Sequence, residues 1–214
     1  TLQLKVQVFQ MNTAQLQKTL RASQYAEQIL NLHQNTLEQD AAVHPFDQSL
    51  STEKIQLLIQ QSLVGLQDEA QWMQALRVLR ARLMFRWIWQ DANQQTDVVT
   101  LTRELSDFAD ACIVAAKEFA LIPLLAKHGE PIGYSGKVQD LIVIAMGKLG
   151  AQELNLSSDI VLIFAFDEQG ETNGRKCIDV QQFCILWGQK LIYLLDHITA
   201  DGFVFRVDMR LRPW

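Results

Sequence analysis

Apolar residues recur every three to four positions through the first part of the chain and gather into short unbroken runs in the last part. Trp72, Leu76, Leu79, Leu83 and Trp87 stand at i, i+4, i+7, i+11 and i+15, the stripe of one helical face. Leu105, Phe108, Cys112, Ala115 and Phe119 repeat the spacing, and this helix is expected to end near Pro123, where proline cannot continue the ladder. Gln- and Leu-rich stretches predict two earlier helices, from Thr13 to about Leu37 and from Thr52 to about Leu66, divided at His44-Pro45-Phe46. After His128 the pattern changes. Gly129, Pro131, Gly133 and Gly136 read as a loop or hinge. Strands follow over Asp140–Met146, Asp159–Phe164 and Phe203 to about Leu211. Between the last two, Val180, Phe183, Trp187, Leu191 and Leu194 mark a helix. The expected class is α+β, with a helical subdomain over residues 1–128 and a mixed strand-and-helix core over 129–214.

The last predicted strand carries the most chemistry. Side chains alternate faces along a strand. Phe203, Phe205, Val207, Met209 and Leu211 are therefore expected on one face, and Arg206, Asp208, Arg210 and Arg212 on the other. A plain solvated face more often mixes Thr, Lys, Glu and Ser. Guanidinium forks around one carboxylate suit phosphate recognition, and the lone Asp suits a cation that also touches phosphate. On the middle strand Ser157, Asp159, Val161, Ile163 and Ala165 share a face. Taken alone, Ser157-Ser158-Asp159 reads as a turn closing onto that strand. Gly147-Lys148-Leu149-Gly150 is a glycine turn after a strand, expected to open a short helix over Ala151–Leu154. Backbone amides at such a turn favour anions. It is no Walker loop, because Leu149 follows the Gly-Lys pair, and no dinucleotide fingerprint.

Composition narrows the possibilities. In 214 residues, 49% are apolar and 20% charged, a globular balance; ten Gly and four Pro exclude a linker-dominated chain. The longest apolar runs are far short of the roughly 20 residues of a membrane span, and the first residues lack a signal peptide's apolar core. A net charge of −5 argues against nucleic-acid binding by bulk electrostatics. Cys112, Cys177 and Cys184 have no metal-ligand spacing, and reduced thiols in a cytoplasmic protein are the simplest reading. His33, His44, His128 and His197 are scattered and are assigned no chemistry. Arg77, Arg80, Arg82 and Arg86 have no acid among them and are expected on a solvated face or paired with acids elsewhere.

Met146-Gly-Lys-Leu-Gly-Ala-Gln-Glu-Leu-Asn-Leu-Ser-Ser-Asp-Ile-Val-Leu-Ile-Phe164 resembles the signature of the glutamine synthetase adenylyltransferase family, as does Asp201-Gly-Phe-Val-Phe-Arg-Val-Asp-Met-Arg-Leu-Arg-Pro213. These enzymes belong to the polymerase-β-like nucleotidyltransferase superfamily and carry two similar modules in one long chain. One attaches AMP to a tyrosine of glutamine synthetase; the other removes it by phosphorolysis. Glu153-Leu154-Asn155 and Phe205 to Arg212 are worded more like the AMP-removing module. The resemblance is strong over 139–214, fainter over 68–125 and absent over the first 65 residues. It implies a nucleotidyltransferase fold, with Gly147 and Lys148 holding nucleotide phosphates aided by Ser158, Arg206, Arg210 and Arg212. It implies Asp159 and Asp208 as ligands for magnesium or manganese. It implies glutamine synthetase, ATP or ADP and phosphate as partners, and a PII-type signalling protein for the full-length enzyme.

One position departs from the family. The second carboxylate of its Asp-x-Asp falls on Val161, which cannot ligate a cation. An inactivating variant, a natural module without activity, or a weak site with substituted ligands would each account for it. The expectation is little or no turnover, with a silent nucleotide- or partner-binding module as the alternative to an AMP-removing enzyme. The end at Pro213-Trp214, directly after the arginine strand, reads as that of a fragment of a longer chain.

Overall fold

The computed structural model describes residues 13–209. The expected roles of Arg210 and Arg212 therefore lie outside the described residues.

Helices α1 (Thr13–Ala22) and α2 (Gln24–Val43) replace the single first helix expected from the pattern. Ser23 causes the break: its backbone is extended, and its hydroxyl accepts the amide of Ala26 as an N-cap. Helix α3 (Thr52–Leu63) follows the predicted loop, capped by Ser51. Helix α4 (Glu69–Ala92) carries the tryptophan stripe, with Trp72, Leu76, Leu79, Leu83 and Trp87 all buried. Helix α5 (Val98–His128) runs through Pro123 instead of stopping there. Proline removes one ladder bond, a loss of about 3 kcal/mol in a helix interior. Beyond it, Leu124 still packs on the core and His128 Nδ1 meets the Lys176 carbonyl at 2.7 Å, which holds the last turn in place. Gly129 then ends the helix at φ +74°, where an added Cβ would come within 2.5 Å of the Gly174 amide.

The glycine-rich stretch read as a loop contains strand β1 (Pro131–Gly133), paired antiparallel with β4 (Gly170–Thr172). A second sheet has the order β2 (Ile142–Met146), β3 (Ile160–Ala165), β5 (Val207–Asp208). β2 and β3 are antiparallel, β3 and β5 parallel. Helix α7 (Val180–Asp196) packs on α5, and the Trp187 indole N–H donates to the Lys117 carbonyl at 2.8 Å. Gly188 admits the Phe164 ring of β3; a Cβ there would lie 2.7 Å from it. The architecture is α+β, with one continuous apolar cluster from Leu16 on α1 to Phe205 just before β5.

The arginine run of α4 departs from expectation. Among the described residues only Arg82 of this run pairs with an acid, making a two-pronged contact to Asp40. Arg77 and Arg86 are buried. Arg77 donates to the carbonyls of Met73, His197 and Gly202 at 3.0, 2.6 and 2.9 Å. Arg86 donates to those of His44, Pro45 and Gln48. Each guanidinium thus satisfies loop carbonyls that no helix or strand could reach. Arg77 fixes the turn through 197–202, and with it the start of the chain segment that leads into β5.

Candidate functional site

β2 and the glycine elbow form the first wall. Gly147 takes φ +58° directly after β2, a left-handed conformation that suits glycine. The chain then winds into the single turn α6 (Gly147–Gly150), four residues earlier than the helix expected over Ala151–Leu154. Gly150 makes this possible, because a Cβ there would sit 2.6 Å from the Ala145 carbonyl of β2. The elbow is pinned to α5 at two points. Gln152 Nε2 donates to Asp110 Oδ2 at 3.0 Å, and the Leu154 amide donates to the Ser106 hydroxyl at 3.1 Å.

The second wall is the loop into β3. Asn155 Oδ1 accepts from the Ser157 amide at 3.2 Å and from the Ser158 hydroxyl at 2.6 Å, an Asx turn that shapes residues 155–158. Lys148 Nζ reaches Ser158 Oγ at 3.4 Å across the pocket. Asn155 carries no signal in the sequence beyond its place in the motif, and only the loop geometry brings it to the site.

The third wall is β5, shorter than predicted. The expected strand over 203–211 pairs only at Val207–Asp208 among the described residues. The alternation predicted upstream fails because Val204 and Phe205 are both buried. Their amides both donate to the Leu195 carbonyl at the end of α7, at 2.8 and 3.2 Å, in place of a ladder. β5 nonetheless places Asp208 beside Val161, and Val161 lies beside Met146 of β2. Residues opposite one another share a face. Val161 and Asp208 therefore stand side by side on the open face, while Ile160 and Leu162 are fully buried on the other.

Lys148, Asn155, Ser157, Ser158, Asp159, Val161 and Asp208 line one open pocket of about 400 Å³. The structure thus unites five of the site positions read from sequence, with Gly147 at the adjoining elbow. Arg206, expected to hold phosphate, faces a carboxylate in this structure. Its Nε pairs with Asp159 Oδ1 at 2.6 Å and its Nη2 donates to the Ser157 carbonyl at 3.2 Å, so it neutralises a candidate metal ligand. Both partners are well exposed, so water screens the pair.

The donor set can be tested against a divalent cation. Among the described residues no group of three or more His, Cys, Asp or Glu side chains could hold a metal. The pocket offers the carboxylates of Asp159 and Asp208, with the Val161 side chain beside Asp208. Magnesium is commonly held by one or two carboxylates, with phosphate oxygens and water filling its octahedron. Two carboxylates fit one such ion; they do not fit the pair that a three-carboxylate site would carry.

With this geometry in hand, likeness to known proteins can be weighed. Residues 13–214 match the family described as glutamate-ammonia ligase adenylyltransferase. The chain belongs to that family. It is 76% identical over 206 residues, 96% of its length, to the bifunctional glutamine synthetase adenylyltransferase/adenylyl-removing enzyme of Acinetobacter baylyi. Enzymes of the same name from Thioalkalivibrio sulfidiphilus and Pseudomonas aeruginosa are 50% and 49% identical over 69% and 73% of the chain. The chain spans 22% of the Acinetobacter relative's length and 15% and 16% of the other two. The family is thus one of enzymes, and this chain corresponds to a fraction of each relative. Among the described residues no helix is long and apolar enough to cross a membrane.

Proposed function

We propose that this chain is the nucleotide-handling part of an enzyme that removes AMP from adenylylated glutamine synthetase by phosphorolysis. The single observation that carries the reading is the convergence of Lys148, Ser158, Asp159 and Asp208 on one open pocket beside the Gly147 elbow. The family membership and the AMP-removing wording of Glu153-Leu154-Asn155 support it.

In this reading an oxygen of hydrogenphosphate bonds to the phosphorus of the AMP group. The bond from that phosphorus to the tyrosine oxygen breaks, the proton of hydrogenphosphate ends on the tyrosine oxygen, and ADP leaves. Lys148 attracts phosphate oxygens as a point charge and is steadied by Ser158. Asp159 and Asp208 would hold one magnesium or manganese ion with the phosphates. Such an ion, when bound, neutralises phosphate charge and aligns the groups that exchange. Arg206 keeps Asp159 oriented through the 2.6 Å pair. ATP or ADP, and a PII-type protein acting on the full-length enzyme, are the further partners of this reading.

A second reading rests on Val161, which leaves the site one carboxylate short of three, and on the Arg206–Asp159 pair, which engages one of the two that remain: a module that binds nucleotide or partner without turnover. Replacing Val161→Asp and assaying AMP release from adenylylated glutamine synthetase tests the impairment. Activity should rise; equal activity before and after would defeat the claim that Val161 limits turnover. Calorimetry separates the two classes. Tight magnesium-dependent nucleotide binding supports the enzyme, and partner binding without it supports the silent module.

A further inference from the structure

A larger cleft, about 1010 Å³, opens between the helices and the segment leading to β5. It shares Asn155, Ser157 and Ser158 with the candidate pocket, so the same loop walls both cavities. Helix α4 presents Arg80, Met84, Ile88 and Asp91 to it, one face at i, i+4, i+8 and i+11.

Arg80 stands apart from its neighbours on this helix. Arg77 gives its donors to carbonyls, Arg86 gives its terminal nitrogens to carbonyls while its Nε is buried without a partner among the described residues, and Arg82 pairs with Asp40; among the described residues Arg80 has neither a carbonyl hydrogen bond nor an ion pair. Its Nη1 donates to the Tyr25 hydroxyl at 2.9 Å, and its Nε is buried with no hydrogen-bond partner among the described residues. The guanidinium carbon lies 5.0 Å from the Phe203 ring centre and 6.0 Å from that of Phe205. A desolvated donor without an acceptor is unfavourable, and an oxyanion is what a guanidinium edge accepts. The acids of the cleft do not fill the role. Asp91 is eleven residues further along α4, about 16 Å at 1.5 Å per residue. Asp201 lies within the electrostatic reach of buried Arg77. Of the two rings over which Arg80 sits, Phe205 directly precedes Arg206, whose guanidinium touches Ser157 of the shared loop.

We infer that Arg80 and Tyr25 form a seat for a phosphate group in this cleft, which shares the 155–158 loop with the candidate pocket. The Tyr25 hydroxyl, which accepts from Arg80, keeps its own proton to donate to a phosphate oxygen. The inference rests on the phosphorolytic reading for its purpose: the attacking phosphate needs a binding place outside the carboxylate pair. Free orthophosphate and the terminal phosphate of ADP share this chemistry.

Calorimetric titration of the chain with inorganic phosphate, without metal, tests it, with ADP as a parallel arm. Phosphate should bind, and Arg80→Gln should weaken it about tenfold, the loss of one charge-assisted contact. If ADP shows the same dependence on Arg80, the seat also takes the nucleotide's terminal phosphate; if orthophosphate alone does, it serves the attacking group. Phosphate should likewise protect Arg80 of the unaltered chain from phenylglyoxal, mapped by mass spectrometry, which decides the matter if Arg80→Gln folds poorly. Absence of phosphate binding, or unchanged affinity in Arg80→Gln with no protection of Arg80, overturns the seat. Asp159→Asn keeps the two ideas apart. It should abolish magnesium-dependent nucleotide binding and spare metal-free phosphate binding; nucleotide binding that survives it defeats the carboxylate reading and leaves the seat standing.

Discussion

The arginines of α4 and the arginine before β5 are the same residue type put to opposite uses. Arg77 and Arg86 are buried among backbone carbonyls, and each ties down a distant loop, Arg77 through the His197 carbonyl and Arg86 through that of His44. Arg206 is exposed on the open side of the sheet and holds a carboxylate that also faces the candidate pocket. Burial decides which of the two is structural. A desolvated guanidinium has strong, fixed bonds that cannot be given up cheaply, while a solvated pair can exchange for a ligand. Arginine clusters therefore say little about phosphate until their surroundings are known.

The sharpest way to break this contrast is to remove a buried guanidinium. Arg86→Ala should cost about 3 kcal/mol or more, because the carbonyls of His44, Pro45 and Gln48 lose a charged donor, the core gains a cavity and buried Glu104 loses a neighbouring positive charge. In a chain of this size that lowers the melting temperature by roughly 6–12 °C. A drop of a degree or two would show that water replaces the arginine.

Val161→Asp comes next. It places a carboxylate directly beside Asp208, and facing like charges should lower metal-free stability by about 1 kcal/mol. Millimolar magnesium should restore the loss, and AMP release should rise at least about tenfold. Thermal melts with and without magnesium, set against the release assay, read both effects.

Glu104 gives a pH signature in the helical region. Burial pushes its carboxyl above the usual range, although it accepts the Trp87 indole N–H at 2.8 Å and the Leu50 amide at 2.9 Å. A carboxyl whose folded-state pKa is raised binds more protons folded than unfolded, so its contribution to stability falls as pH rises from about the ordinary value of 4.5 through the folded one. The wild type should gain on Glu104→Gln as pH is lowered through that window. A gap that stays constant with pH would place the proton elsewhere.

The smallest effect belongs to Arg206→Gln. An exposed pair contributes less than about 1 kcal/mol, so melting should barely change. Calorimetry with manganese should show equal or somewhat tighter binding, since Asp159 is released; a clear weakening would make Arg206 part of the ligand site.

Much of this was legible in the chain. The α4 stripe, the break at His44-Pro45-Phe46 and the β3 faces follow from periodicities of 3.6 and 2, which survive any tertiary context that buries one face. Gly147, Lys148, Ser158 and Asp159 lie in one short motif and Asp208 in a second, and it was the resemblance of those two motifs to a family that marked them. The pairing of β1 with β4 was not, since three-residue strands have no period to read. Nor was the course of α5 through Pro123, where packing on both sides outweighs one lost bond. The face pattern upstream of β5 failed because consecutive amides of Val204 and Phe205 turn to the same carbonyl.

The sequence by itself determined the α+β class, the family and the identity of the residues around the elbow, because local periodicity and a compact motif are properties of neighbouring residues. Tertiary structure alone decided that Arg77 and Arg86 are buried, that Arg206 meets Asp159, and that Arg80 faces a cleft with an unmet donor. Those outcomes depend on which distant loop is brought against each guanidinium, and the energy of a charge is set by what surrounds it in space rather than by its neighbours along the chain.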